Sequence, residues 1–228
     1  MRCARGLEFS SLRVLQIIPG LQTGGAERTT VDIAHALVDA GHDALVGSQG
    51  GRMVAELPPQ AQHITLPVAS QNPLAMFANA NRIGALCQRE GVHLVHARSR
   101  APAWSALIAA RAAGLPLVPT YHGSYKAKSG DKRFYNSVMT RGDAVIANSQ
   151  FTAAAIAAQF PKAARKITVV PRGTDLGRFD GPAEPYTWPV PEEARVVVQV
   201  ARLTAWKGLS VAINALATLP EDVHLVVA

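Results

Sequence analysis

The feature that most constrains this chain is a repeated alternation of short apolar runs with stretches of helical periodicity. Apolar runs fall at Arg13 to Ile18, Asp43 to Gly47, His63 to Leu66, Leu94 to Ala97, Leu117 to Tyr121, Ala144 to Asn148 and Lys166 to Val170. Between them lie helical patterns at about Glu27 to Ala40, Met53 to Leu57, Pro73 to Glu90, Ala101 to Ala113, Asp131 to Arg141 and Gln150 to Phe160. Val31, Ala34, Leu37 and Val38 share one face of the first, which is helical spacing. Asn72 and Ser149 suit N-caps, Pro73 suits a first helical position, and Gly41 and Gly114 suit C-terminal stops. Strands that alternate with helices at this spacing predict βαβ units and a parallel sheet. The apolar runs lack strict alternation, as expected of strands covered on both faces. The fold class predicted is therefore α/β with a Rossmann-like parallel sheet.

The segment 181–194 carries Pro182, Pro185, Pro189 and Pro191, a stiff linker composition. Beyond it the pattern restarts, with an apolar run Val196 to Val200, a helix Gly208 to Leu219 and an apolar run Val223 to Ala228. The expected domains are 12–180, a linker at 181–194, and the first βαβ unit of a second Rossmann-like domain at 195–228. The last unit reads as begun and not finished, because central parallel strands need neighbours and cover. Met1 to Ser11 reads as a loose leader.

Charge is uneven. Residues 1–180 hold 20 Lys and Arg against 11 Asp and Glu, whereas the remainder holds 3 against 5. Eight basic residues and one acid lie between His96 and Arg141. Such an excess suits phosphates, acidic glycans or an anionic lipid surface. No nucleic-acid recognition motif accompanies it. Cys3 and Cys87 make neither a disulfide framework nor a metal site, and fit a reducing compartment. No secretory signal and no run long enough to span a bilayer is present in the sequence. A cytoplasmic protein, peripheral at the inner face of the membrane, is expected.

Gly24-Gly25-Ala26-Glu27-Arg28 lies between the first strand and the first helix. Adjacent glycines let a ligand approach the backbone, and the amides and dipole of a helix start favour negative charge. The same residues also suit a tight turn, with Glu27 complementing the dipole. Gly-x-Gly-x-x-Gly is absent at this position, which disfavours a dehydrogenase.

His122 ends one strand and precedes Gly123; His96, with Arg98 and Arg100 behind it, ends another. Ligands of open α/β folds bind beyond strand carboxyl ends. A lone histidine there is either a structural residue or a donor to a substrate oxygen. Arg202 and Lys207 follow the strand Val196 to Val200, with Gly208 at the next helix start. Arg offers phosphate a planar fork and Lys a point charge. Solvated surface cations are the plainer alternative. No Asp-x-Asp occurs, so a metal-bridged diphosphate has no evident ligands.

Read together and in order, these pieces resemble glycosyltransferase family 4, of GT-B fold. The matching residues are Gly24-Gly25-Ala26-Glu27-Arg28, His122-Gly123, Ala147-Asn148-Ser149, Val170-Pro171-Arg172-Gly173-Thr174-Asp175 to Phe179, and Val200-Ala201-Arg202-Leu203 to Lys207-Gly208. The resemblance implies two Rossmann-like domains facing a cleft, the first holding mainly the acceptor and the second a nucleotide sugar. It implies transfer with retention of anomeric configuration, without a metal and with no cofactor beyond the nucleotide-sugar co-substrate. His122, Arg202 and Lys207 are the implied catalytic residues. Gly24, Gly25, Glu27, Arg28, Asn148, Arg172 and Asp175 are the implied substrate-binding ones. The implied partners are a nucleotide-sugar donor, a lipid-linked or envelope glycan acceptor and an anionic membrane surface, in lipopolysaccharide or exopolysaccharide biosynthesis. The family's late pair of glutamates is expected beyond Ala228, so this chain is expected to be catalytically incomplete alone. The alternatives are a nucleotide-sugar epimerase of the same architecture and a non-catalytic module that keeps only the acceptor site.

Overall fold

The computed structural model describes residues 11–123, 125, 129–174, 176–182 and 186–228, and the backbone alone at Arg178, Phe179 and Trp206. Most of the expected leader, together with Cys3, Lys126, Lys128, Asp175 and Pro185, lies outside the described residues. The chain divides into two compact units, Met1–Gly173 and Thr174–Ala228. The division falls ahead of the proline-rich stretch.

The first unit is built on β1 (Arg13–Ile17), α1 (Gly25–Asp39), β2 (Asp43–Ser48), β3 (Gln62–Thr65), α2 (Pro73–Glu90) and β4 (Leu94–Ala97). It continues through α3 (Arg100–Ala113), β5 (Leu117–Tyr121), α4 (Gly130–Asn136), β6 (Val145–Ala147), α5 (Gln150–Gln159) and β7 (Ile167–Val169). The seven strands form one sheet in the order β3-β2-β1-β4-β5-β6-β7, and every pairing is parallel. The chain winds outward from β1 to β3 and then returns to place β4 on the other side of β1. That reversal leaves a crevice beyond the carboxyl ends of β1 and β4, the usual ligand position in such sheets.

Two-residue periodicity along the strands divides the core between the sheet's faces. Leu15, Ile17, Leu45, Val95 and Ala97 pack with Ile83 and Leu86 of α2 and with Ala103, Ala106 and Leu107 of α3. Ala44 and Val46 join Val31 and Ala34 of α1 and Met53, with Leu37 and Val38 packed against them. Cover on both faces explains the near-continuous apolar runs. The caps form as the sequence suggests: the Asn72 side chain accepts from the Leu74 amide at 2.9 Å, and Ser149 Oγ accepts from the Thr152 amide at 3.1 Å. Gly91 ends α2 at φ +60°, a conformation glycine adopts freely.

Three expected helices differ from the observed ones. The segment Asp131 to Arg141 is α4 followed by a separate 3-10 turn, Ser137–Thr140. The Ser137 hydroxyl donates to the Phe134 carbonyl at 2.6 Å and the Thr140 hydroxyl to the Ser137 carbonyl at 2.8 Å. Side chains that bond to carbonyls three residues back compete with the α-helical ladder and tighten the turn. Met53 to Leu57 is likewise a 3-10 turn, Arg52–Glu56.

The second unit contains β8 (Arg195–Gln199), α6 (Leu209–Leu216) and β9 (Val223–Val227), with β8 and β9 paired in parallel. Here α6 is shorter than the expected Gly208 to Leu219. Gly208 stands before the helix at φ +73°, the Thr218 hydroxyl donates to the Ala215 carbonyl at 2.7 Å, and Pro220 follows.

Candidate active site

The crevice is furnished by residues just past β1, β4 and β5. Gln16, wholly buried in β1, is the polar residue within the apolar run that follows Arg13. Its amide donates to the Thr30 carbonyl of α1 at 3.0 Å, and its carbonyl oxygen accepts from Arg98 Nη1 at 3.0 Å. The Arg98 amide donates to the Ile17 carbonyl at 2.9 Å. Arg98 is only 2% exposed. The sequence groups it with a basic surface; the structure instead buries it beneath the crevice. Burial, with help from Arg172, lowers its pKa to about 10, so it stays charged at neutral pH. Its Nε and Nη2 have no hydrogen-bond partner among the described residues. Unpartnered buried donors on a cation are costly and demand an acceptor.

His122 follows β5. Arg172 Nη2 lies 2.6 Å from its Nδ1. A guanidinium can only donate, so Nδ1 is the acceptor and the ring proton resides on Nε2. Desolvation, Arg98 and then Arg172 depress the His122 pKa to about 3. The imidazole is therefore neutral at physiological pH, and its buried Nε2–H is another donor without a partner among the described residues. Asn148 Nδ2 donates to the His122 carbonyl at 3.3 Å, while Thr152 Oγ1 donates to Asn148 Oδ1 at 2.8 Å. Asn148 thus holds the backbone of His122. In β4, His96 Nε2 meets Thr120 Oγ1 at 2.7 Å, and burial holds His96 well below the usual histidine range.

The two glycines have a steric role in this arrangement. A Cβ on Gly25 would collide with Arg172 Nη1, and a Cβ on Gly24 would collide with Glu27 Oε2. The Arg172 guanidinium therefore lies over Gly25 while bonded to His122, and the Glu27 carboxylate folds back over the start of α1. Gly51 supports the same loop from beneath: a Cβ there would strike the Leu21 carbonyl and the Gln22 amide.

Of the expected site residues, Gly25, His122, Asn148 and Arg172 form one connected set, with Gly24 and Glu27 adjoining. Arg28 points elsewhere and pairs with Glu56. Asp175 lies outside the described residues. Arg202 and Lys207 belong to the second unit, where both are exposed after β8; the Lys207 carbonyl accepts from Gln199 Nε2 at 3.0 Å. Arg98 and Gln16 were missed as site residues. Their signal was present: an arginine one position past a strand, and a glutamine inside an otherwise apolar one. Among the described residues, Arg98 and Arg172 form no ion pair with a carboxylate. No group of three or more His, Cys, Asp or Glu side chains is placed to hold a metal among them.

The sequence model of Glycosyltransferase Family 4 matches residues 23–178, which include every member of this set. The chain belongs to Glycosyltransferase Family 4. A glycosyltransferase from Rickettsia africae is 32% identical, with a TM-score of 0.78, over 96% of this family 4 chain and 60% of that protein. Anabaena Alr3699/HepE, solved in complex with UDP and glucose, is 23% identical with a TM-score of 0.73, over 95% of this chain and 60% of that one. WaaG, a glycosyltransferase involved in lipopolysaccharide biosynthesis, is 18% identical with a TM-score of 0.69 and shows the same fold. The family 4 chain thus spans about 60% of the length of these proteins. No curated protein matches it significantly.

Proposed function

We propose that this chain supplies the acceptor-side domain, and the first part of the donor-side domain, of a glycosyltransferase. The reaction is transfer of a sugar from a nucleotide sugar to a lipid-linked or cell-envelope glycan, with retention of configuration and without a metal. The observation that carries this reading is the Arg172–His122 pair over Gly25, with Arg98 buried behind it. Departure of a nucleoside diphosphate develops negative charge, and fixed guanidinium groups offset that charge without reorganisation. Neutral His122 is suited to donate from Nε2 to a sugar or acceptor hydroxyl rather than to act as an acid. Asn148 is a positioning residue that acts through the His122 carbonyl. In the second unit Arg202 and Lys207 are assigned to the donor diphosphate, a reading supported by the UDP bound to HepE.

The protein is further proposed to work in the cytoplasm, peripheral to the membrane; among the described residues no helix is long and apolar enough to cross it. The test is turnover of UDP-sugars by the full-length polypeptide in the presence of EDTA. Arg172→Ala and Arg202→Ala should each lower kcat by about 10²- to 10³-fold. Near-normal rates in both variants at saturating donor would defeat the assignment.

A further inference from the structure

A second concentration of uncompensated charge lies at the opposite end of the same sheet. Arg111 is in the last turn of α3, which leads into β5; Arg141 precedes β6; Phe160, Lys162 and Lys166 precede β7. These residues, with Arg133 of α4, line a cavity of about 610 Å³. The size suits a small-molecule ligand. Five cations line it, and among the described residues no carboxylate is on its wall.

Three of the cations are fixed by neutral groups. Arg133 Nη2 donates to the Gln159 carbonyl at 2.8 Å, Arg141 Nε to Ser137 Oγ at 3.1 Å, and Lys166 Nζ to the Gly142 carbonyl at 2.8 Å. The Arg141 guanidinium also stacks against Trp104 and Phe134, at 5.2 and 5.0 Å from the ring centroids. Anchoring to carbonyls, a hydroxyl and rings orients the cations and leaves their charge intact. None of the five is in an ion pair among the described residues. Cations held together without a counter-charge repel one another, so an anion that enters relieves that repulsion and gains several charge-assisted hydrogen bonds. Guanidinium forks match phosphoryl oxygens in particular. Phe160, beneath Arg133 at 5.8 Å, adds an apolar patch for the body that bears the phosphoryl group.

We propose that this cavity at the amino ends of β5, β6 and β7 binds a phosphoryl-bearing ligand, at a site separate from the crevice beyond the strand carboxyl ends. The ligand is either a soluble phosphorylated molecule or the headgroup of an anionic phospholipid. Both present the same oxygens, and they are separated by experiment. Inorganic pyrophosphate is titrated into the isotope-labelled 228-residue chain, and amide resonances are followed by NMR. Shifts are expected at Thr140, Gly142 and Ala163.

Arg111→Gln with Lys162→Gln should weaken this binding by about tenfold. Neither side chain makes a hydrogen bond among the described residues, so the fold should survive their replacement. A charge-matched control, Arg82→Gln with Arg89→Gln, should leave binding unchanged. If the double substitution unfolds the chain, Lys162→Glu alone carries the same expectation. Co-sedimentation with phosphatidylcholine vesicles, with and without phosphatidylglycerol, is then compared for the same proteins. Loss of binding to the anionic vesicles in the cavity variant identifies a lipid headgroup; unchanged vesicle binding with loss of pyrophosphate identifies a soluble ligand. Absence of shifts at the three amides overturns the proposal, as does equal weakening by the control pair.

Discussion

The two units are written in the same sequence language and differ in what becomes of it. In the first, the apolar residues of β1 and β4 are sealed between helices: Leu15, Ile17, Val95 and Ala97 are all wholly buried. In the second, β8 and β9 pair in parallel through five residues each, yet Val197 and Val198 are 49% and 42% exposed. Helix α6 has no buried residue, and Val211 and Ile213 face solvent. A strand pattern states which faces need cover; it does not supply the cover. Among the described residues the first unit has two layers of helices around seven strands, whereas the second has one α-helix for two strands. Equal hydrophobicity therefore carries unequal stabilising weight, because burial and not residue type sets the free energy.

The sharpest way to break that contrast is to truncate a leucine in each unit. Leu15→Ala removes a fully buried side chain and should destabilise the chain by about 2–5 kcal/mol in denaturant unfolding. Leu203, 74% exposed, should lose less than about 0.5 kcal/mol on the same change. Comparable losses at both positions would show that the second unit has a core of its own.

Acid should separate the units next. His122 is held neutral in the fold, with a pKa of about 3 against the ordinary 6.5. As pH falls through 6.5 the unfolded chain gains a proton there and the folded chain does not. Stability present above pH 6.5 is thus lost progressively as the pH falls toward 3. His96 acts with the same sign. Among the described residues the second unit offers no counterpart; the shifted groups there, Arg195 and Asp222, form an exposed pair. Relative to a His122→Gln variant, the parent chain should lose about 1–2 kcal/mol of its advantage between about pH 7 and pH 5. A constant gap across that range would mean that His122 is solvated in the fold.

The contrast also explains how much was legible in the sequence. The strands and long helices of the first unit could be read because local pattern and tertiary cover agree there. α2 has the expected bounds, and Asn72 caps it. The 3-10 turn after α4 was not legible, because it depends on which carbonyls the Ser137 and Thr140 hydroxyls reach. In the site, the ordered motifs located Gly25, His122, Asn148 and Arg172. They did not reveal that Arg172 bonds to His122, fifty residues away in sequence. Nor did they show that Gly25 is small because a guanidinium lies over it. Arg98 is legible as a basic residue just past a strand, one of eight between His96 and Arg141, but not as a buried one. Its burial follows from the register of β4 beside β1, which brings it within reach of Gln16, and no local pattern encodes that register.

The smallest expected effect is the most demanding test of the division. Every residue of the two buried clusters lies within the first unit, from Leu15 to Ile156 in one and from Ile18 to Met53 in the other. The seven-stranded sheet is likewise complete before Val170. If stability follows burial, removing what comes after Asp180 takes away almost none of it. A polypeptide of residues 1–180 should therefore unfold in one cooperative transition, with a Tm within about 2 °C of the main transition of the 228-residue chain. It should also bind less of a hydrophobic dye and stay soluble at higher concentration, since the exposed valines of β8 and the outer face of α6 are gone. Calorimetry of the two polypeptides decides the matter. A fall of about 10 °C or more in the shorter one, or a broad non-cooperative melt, would mean that the second unit stabilises the first and that solvent exposure alone misjudges its contribution.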